Sequence, residues 1–142
     1  MARSFTPAAA DQGESRGVNA TVSELGQWPI QLNLVSPAAP YFRECELLVA
    51  ADCTAFALGS FHADLLCGRS LVIACPKLDR TEGYVEKLAE LIAGNTIYSI
   101  TVAIMEVPCC SGLSRIVAEA VERSGKSIAV RTVVVRLDGA TR

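Results

Sequence analysis

No G-x-G-x-x-G stretch, P-loop or C-x-x-C pair occurs anywhere in these 142 residues. The first two absences remove the usual nucleotide-binding loops of an α/β protein, whose glycines let backbone N–H groups approach a phosphate. The third removes the zinc ribbon and the zinc finger, which need closely spaced ligand pairs. The closely spaced cysteine run of a ferredoxin is missing as well. No Lys/Arg cluster stands out and the net charge is −2, so a nucleic-acid partner has no electrostatic footprint. No apolar stretch approaches the ~20 residues that span a bilayer, which speaks against a membrane. The opening MARSFTPAAADQGES contains no apolar signal core. A cytoplasmic location is therefore expected, and the Asn19-Ala-Thr sequon has no secretory route to use.

What the chain does have is apolar mass and thiols. Half of it is hydrophobic and a fifth is charged, enough for one well-packed domain of ordinary size. There are six cysteines: Cys45, Cys53, Cys67, Cys75, Cys109 and Cys110. In a reducing compartment they are not expected to form a disulfide framework. Their meaning has to come from position.

Residues 1–22 are rich in Ala, Ser, Gly and charge, without periodicity, and read as a disordered arm or linker. The domain occupies residues 23–142. Its expected strands are residues 30–35 (IQLNLV), 46–51 (ELLVAA), 71–75 (LVIAC), 99–107 (SITVAIMEV) and 128–137 (IAVRTVVVRL). A short helical turn falls at 40–45, and a loosely helical stretch follows Cys53. Asp79-x-x-Glu82 resembles a capping box opening a helix, with Tyr84, Val85, Leu88, Leu91 and Ile92 on one face and Gly94 as C-cap. Leu113, Ile116, Val117, Ala120 and Val121 stripe a further helix that Gly125 ends. The strands are near-continuous apolar runs, the pattern of strands covered on both faces in a parallel sheet. Alternation with helices gives βαβ units with right-handed crossovers. The expected fold is a three-layer, Rossmann-like α/β domain with a mainly parallel sheet of about five strands.

That assignment gives the thiols a place. Cys53 follows the second expected strand, Cys75 ends the third, and Cys109 and Cys110 follow the fourth. In a parallel sheet those ends share the carboxyl edge, where such folds bind ligands. Strands ~4.8 Å apart can bring their terminal thiols to one inorganic centre. Cys110 and Ser111 stand at a helix N-terminus, whose dipole is expected to favour a thiolate. Soft thiolates suit zinc, copper(I) or iron–sulfur centres. Pro76 and Pro108 are ordinary strand terminators that also fix the direction of the adjacent thiol. The single histidine, His62, is commonly a surface or hydrogen-bonded core residue; here it is also a candidate fifth ligand or proton carrier. Cys45 and Cys67 fall on the opposite edge and read as structural. Lys77 and Asp79 read as a solvated turn with a helix cap, and Glu106 as an edge-facing polar residue.

The segments AADCTAFALGSFH, LVIACPKLD and SITVAIMEVPCCSGL together resemble a domain found behind ferredoxin-type 4Fe-4S modules in anaerobic bacteria and archaea. The resemblance spans about residues 24–137. It implies cofactor-binding roles for the positions of Cys53, His62, Cys75, Cys109 and Cys110, and an iron–sulfur context. It supplies no reaction, and this chain lacks the ferredoxin cysteine run that usually precedes the domain. The leading expectation is an electron-transfer protein whose [4Fe-4S] cluster is held by Cys53, Cys75 and the Cys109–Cys110 pair, of which either both ligate or one ligates while the other is a neighbouring or redox thiol, with His62 close by, a ferredoxin-like or other redox protein as partner and a homodimer as one assembly. The alternatives are a redox enzyme with an open iron position or reactive vicinal thiols, a mononuclear zinc or iron site, and a domain whose cysteines merely pack.

Overall fold

The computed structural model describes residues 2–6 and 22–142. Most of the expected arm, residues 7–21, lies outside the described residues. Strand β1 (Arg3–Ser4) pairs antiparallel with β2 (Gln27–Trp28), so the first residues do take part in structure. A 3-10 turn at Pro40–Phe42 leads into β3 (Glu44–Ala51). Helix α1 (Thr54–Ala57) and a π-helical turn at Phe61–Leu66 connect it to β4 (Arg69–Ala74). Then come α2 (Tyr84–Ala93), β5 (Thr96–Met105), α3 (Ser111–Ser124) and β6 (Val130–Val135).

The main sheet has four parallel strands in the order β4-β3-β5-β6. From β3 the chain steps one way to β4, then returns past β3 to β5 and on to β6. With right-handed crossovers, this reversal puts the α1 connection on one face and α2 and α3 on the other. The two longer helices accordingly pack on each other. The core is continuous across these layers: Leu47, Leu48, Val49, Val72, Leu91 and Leu113 are all fully enclosed. The apolar runs of β3 and of the middle of β5 are unbroken because both faces are covered there, whereas β6, at the sheet edge, is largely exposed.

The fifth strand expected at residues 30–35 does not form. Gln31 makes one parallel bridge to Ile73, with the Leu32 and Ile73 N–H groups donating to Ile73 and Ile30 carbonyls. The chain then turns, and the N–H groups of Leu34 and Val35 both donate to the Gln31 carbonyl. The Lys87 ammonium, reaching from α2, donates to the carbonyls of Leu32, Asn33 and Val35 at 3.0–3.1 Å. One cation with three donors thus holds together carbonyls that an extended strand would point apart. Alternation of apolar residues could not reveal that contact. The other strands form, with ends within three residues of expectation.

The expected capping box also fails. Helix α2 starts at Tyr84 from Gly83, whose φ of 87° is left-handed, and no side chain caps it. Asp79 instead accepts from the Cys75 N–H at 3.0 Å and from the Tyr84 hydroxyl at 2.8 Å. It closes the loop after β4 rather than the helix. The C-cap of α3 does match expectation, with Gly125 at φ 74°.

Candidate functional site

All four strands run the same way, so the ends of β3, β4 and β5 open on one rim. Register fixes the level: Ala51 pairs with Ala74, and Ala50 with Ala103. The reversal of winding lies between β3 and β5, which makes the loops after those strands the mouth of the topological switch. Cys53 leaves the end of β3, and Cys109 and Cys110 leave the end of β5. Cys75 leaves β4, next to β3.

Each loop is held locally. After β3, the Asp52 N–H donates to the Ala74 carbonyl, and the buried Thr54 hydroxyl donates to the Ala51 carbonyl at 2.7 Å. These bonds fix the turn on which Cys53, exposed, precedes α1. After β4, Cys75 and Asp79 close a small ring, since the Asp79 N–H returns a bond to the Cys75 carbonyl. After β5, Pro108 opens a 3-10 turn, Pro108–Cys110, that runs directly into α3. The Ser111 hydroxyl donates to the Pro108 carbonyl at 2.9 Å. The last two loops meet: a Cβ added at Gly112 would stand 3.3 Å from the Pro76 Cβ. A glycine in the first turn of α3 therefore lets the Cys75 loop lie against the loop that carries Cys109 and Cys110.

Cys110 is 6 % exposed, whereas Cys109 and Cys53 are open to solvent and Cys75 is half-buried. Burial pushes the Cys110 thiol up, and a backbone hydrogen bond at Met105 only partly offsets it. The neighbouring thiols of Cys109 and Cys53 push it up further. Cys53, Cys109 and Cys110 thus share the rim formed by the ends of the adjacent strands β3 and β5. The structure also overturns the expectation that the helix N-terminus makes Cys110 a ready thiolate: desolvation and like-charged neighbours outweigh the dipole here.

A second acidic group, less legible in the sequence, sits beside them. Asp52 immediately precedes Cys53, and burial, then the charge of Asp79, raise its carboxyl above the usual range. Its Oδ1 is buried without a hydrogen-bond partner among the described residues. Tyr84 is pushed far up by burial, then by its bond to Asp79, with Asp52 and Cys75 adding to the effect. The only hint in the sequence was adjacency, in Asp52-Cys53 and in the Cys-Pro-Lys-Leu-Asp run.

The remaining candidates fall elsewhere. His62 lies in the π-helical turn, and its Nδ1 accepts from the Glu24 N–H at 3.0 Å. It lines a recess with Asp52 and Phe61, and Cys53 is not in that wall. Glu106 turns to the C-terminal segment, where it faces Arg136 at 3.5 Å and accepts from the Leu137 N–H. Cys45 is buried at the start of β3, its thiol directed at the Phe42 carbonyl; Cys67 is exposed ahead of β4. Both are on the opposite rim, as expected. Lys77 is exposed.

Among the described residues, no three His, Cys, Asp or Glu side chains stand close enough to grip a single metal ion. None of the helices among them is long and apolar enough to cross a membrane.

No solved structure matches the chain. An uncharacterised protein of Archaeoglobus fulgidus is 31 % identical over 119 residues, which cover 84 % of each chain. A family model described as a Rossmann-like domain matches residues 39–141, the whole span from the first turn before β3 to the end of the last hairpin. By that match, with which the parallel sheet and its reversed winding agree, the chain belongs to the Rossmann-like domain family.

Proposed function

We propose that the carboxyl rim of this domain holds an iron–sulfur cluster and that the protein passes electrons to or from a ferredoxin-like or other redox partner. The observation that carries this reading is the delivery of Cys53, Cys75, Cys109 and Cys110 to one rim by three adjacent parallel strands. The donor set fits such a group in chemistry. A lone ion needs its donors converged on one point, and they are not so arranged. A multi-iron cluster brings its own iron and sulfide frame and takes a thiolate at each corner, which suits thiols spread around a rim. Ligation would also relieve the crowding of protons: a raised thiol such as Cys110 is deprotonated outright when it binds metal. When bound, a cluster of this kind supplies reversible one-electron transfer at a potential set by burial and hydrogen bonding. The chain's own residues would orient the thiols: Thr54 through the β3 turn, Asp79 through the Cys75 backbone, and Ser111 through the Pro108 carbonyl.

The test is a count of iron and acid-labile sulfide on anaerobically prepared protein, beside the Cys75→Ala variant. About four of each per chain is expected for the parent protein, with a clear loss in the variant. Absence of both from the parent, before and after anaerobic reconstitution, would sink the reading.

One observation favours a second reading. Cys109 and Cys110 stand side by side in one 3-10 turn, the first exposed and the second buried, as a thiol pair working without metal would. Under that reading Cys110→Ser abolishes thiol–disulfide exchange in iron-free protein, and under the first it does not.

A further inference from the structure

We propose that the recess on the α1 side of the sheet is a binding site for an uncharged, one-ring organic molecule bearing a hydroxyl or amide group. The recess has a volume of about 210 Å³ and is walled by α1, the π-helical turn, β4 and the segment through Leu25 and Ile30. A cavity of about 150 Å³ holds a benzene ring, so this one has room for a ring and one substituent. Its walls are apolar apart from Asp52, Thr54 and His62. Phe56 borders it and is 91 % exposed, an aromatic face left beside the opening.

The three polar residues set the chemistry. Thr54 is spent on the Ala51 carbonyl. His62 accepts at Nδ1 from the Glu24 N–H, so in the neutral imidazole the proton is on Nε2. That N–H has no partner among the described residues and offers one donor. Asp52 contributes the carboxyl whose Oδ1 has no partner. One donor and one acceptor on otherwise apolar walls match a group that both accepts and donates, which a hydroxyl or a primary amide does. An anionic substituent fits poorly, because the apolar walls cannot replace its hydration and the Asp52 carboxyl faces the same recess.

The test is an NMR titration of the full, reduced, iron-free chain with phenol, toluene and benzoate, following backbone amides. Phenol is expected to move Leu25, Ala55, His62 and Ile73 together and to saturate. Toluene, which lacks the polar group, should bind about three- to tenfold more weakly, the worth of one net hydrogen bond, and benzoate more weakly still. Ala55→Trp, at an exposed position on the wall, should abolish phenol binding. His62→Phe should keep the fold and bring phenol part of the way down to the affinity of toluene, with Asp52 left as the acceptor. Shifts scattered over the surface without saturation, or phenol affinity unchanged by Ala55→Trp, would overturn the site. Equal binding of phenol and toluene to the parent chain would overturn its polar half. No readout here involves iron, so the outcome stands apart from that of the metal analysis.

Discussion

At the scale of single residues, Cys110 is where burial and charge contend most directly. Its thiol is enclosed and flanked by two others, and each of those facts disfavours the thiolate. Until a base removes its proton or a metal displaces it, the residue is a poor nucleophile even though it adjoins a helix N-terminus. Alkylation of the iron-free, reduced chain should therefore divide the cysteines. Exposed Cys53, Cys67 and Cys109 should react first, and buried Cys45 and Cys110 last. The sign with pH follows from the raised thiol: the Cys110 rate should still be climbing at a pH where the rate of an ordinary exposed thiol has levelled off. Mass spectrometry of peptides sampled through the time course reads both effects. Early labelling of Cys110 at pH 7 would contradict its burial and its raised proton affinity together. The identity of the thiols was plain in the sequence, but the proton affinity of Cys110 was not, because it depends on its burial and on Met105 and Cys53, which only the folded chain brings near.

Elements were legible to the degree that their determinants are local. The helix stripe from Leu113 to Ala120 and the glycine after it describe α3 well, because side-chain period and a left-handed C-cap are properties of neighbouring residues. Asp79-x-x-Glu82 misled because a carboxylate near a helix start has more than one use; here the Cys75 N–H and the Tyr84 hydroxyl claim it. The two terminal glycines separate the same way. Gly125 has φ 74°, a conformation that costs an L residue roughly 1–2 kcal/mol. Gly94 has φ −86° and lies in the right-handed region, where an added Cβ meets only the Glu90 carbonyl at 3.2 Å. Gly125→Ala should thus lower unfolding free energy by about 1–2 kcal/mol, and Gly94→Ala by clearly less. Urea denaturation of the pair checks this, and equal losses would show that helix ends here are not governed by backbone handedness.

On the scale of the whole molecule, the outer edge of β4 decides how much of the chain counts as one unit. The sequence suggested a fifth strand there, and the structure replaces most of it with a side chain. The carboxamide of Gln27, 3 % exposed, donates to the Leu71 carbonyl at 2.8 Å and accepts from the Leu71 N–H at 2.7 Å. It satisfies the same two backbone groups that a neighbouring strand would, one bridge away from the Gln31 and Ile73 pairing. A glutamine between two apolar stretches carries no mark of this use, because its partners are 44 residues further on. The consequence is that residues 25–32 are bound to the sheet by few but buried contacts, and with them one wall of the recess. Gln27→Ala leaves a buried donor and a buried acceptor on Leu71 without partners, at a cost of about 2–4 kcal/mol. The loss should be uneven: amide exchange should quicken at Leu71, Leu32 and Ile73, whose bonds lie on this edge, while Val49 and Val102 in the sheet interior keep their relative order of protection. Phenol affinity should fall in step, since Leu25 and Ile30 are no longer held in place. A cost below ~0.5 kcal/mol, typical of a surface change, would mean that water replaces the carboxamide freely and that the segment ahead of β3 is an appendage rather than part of the domain.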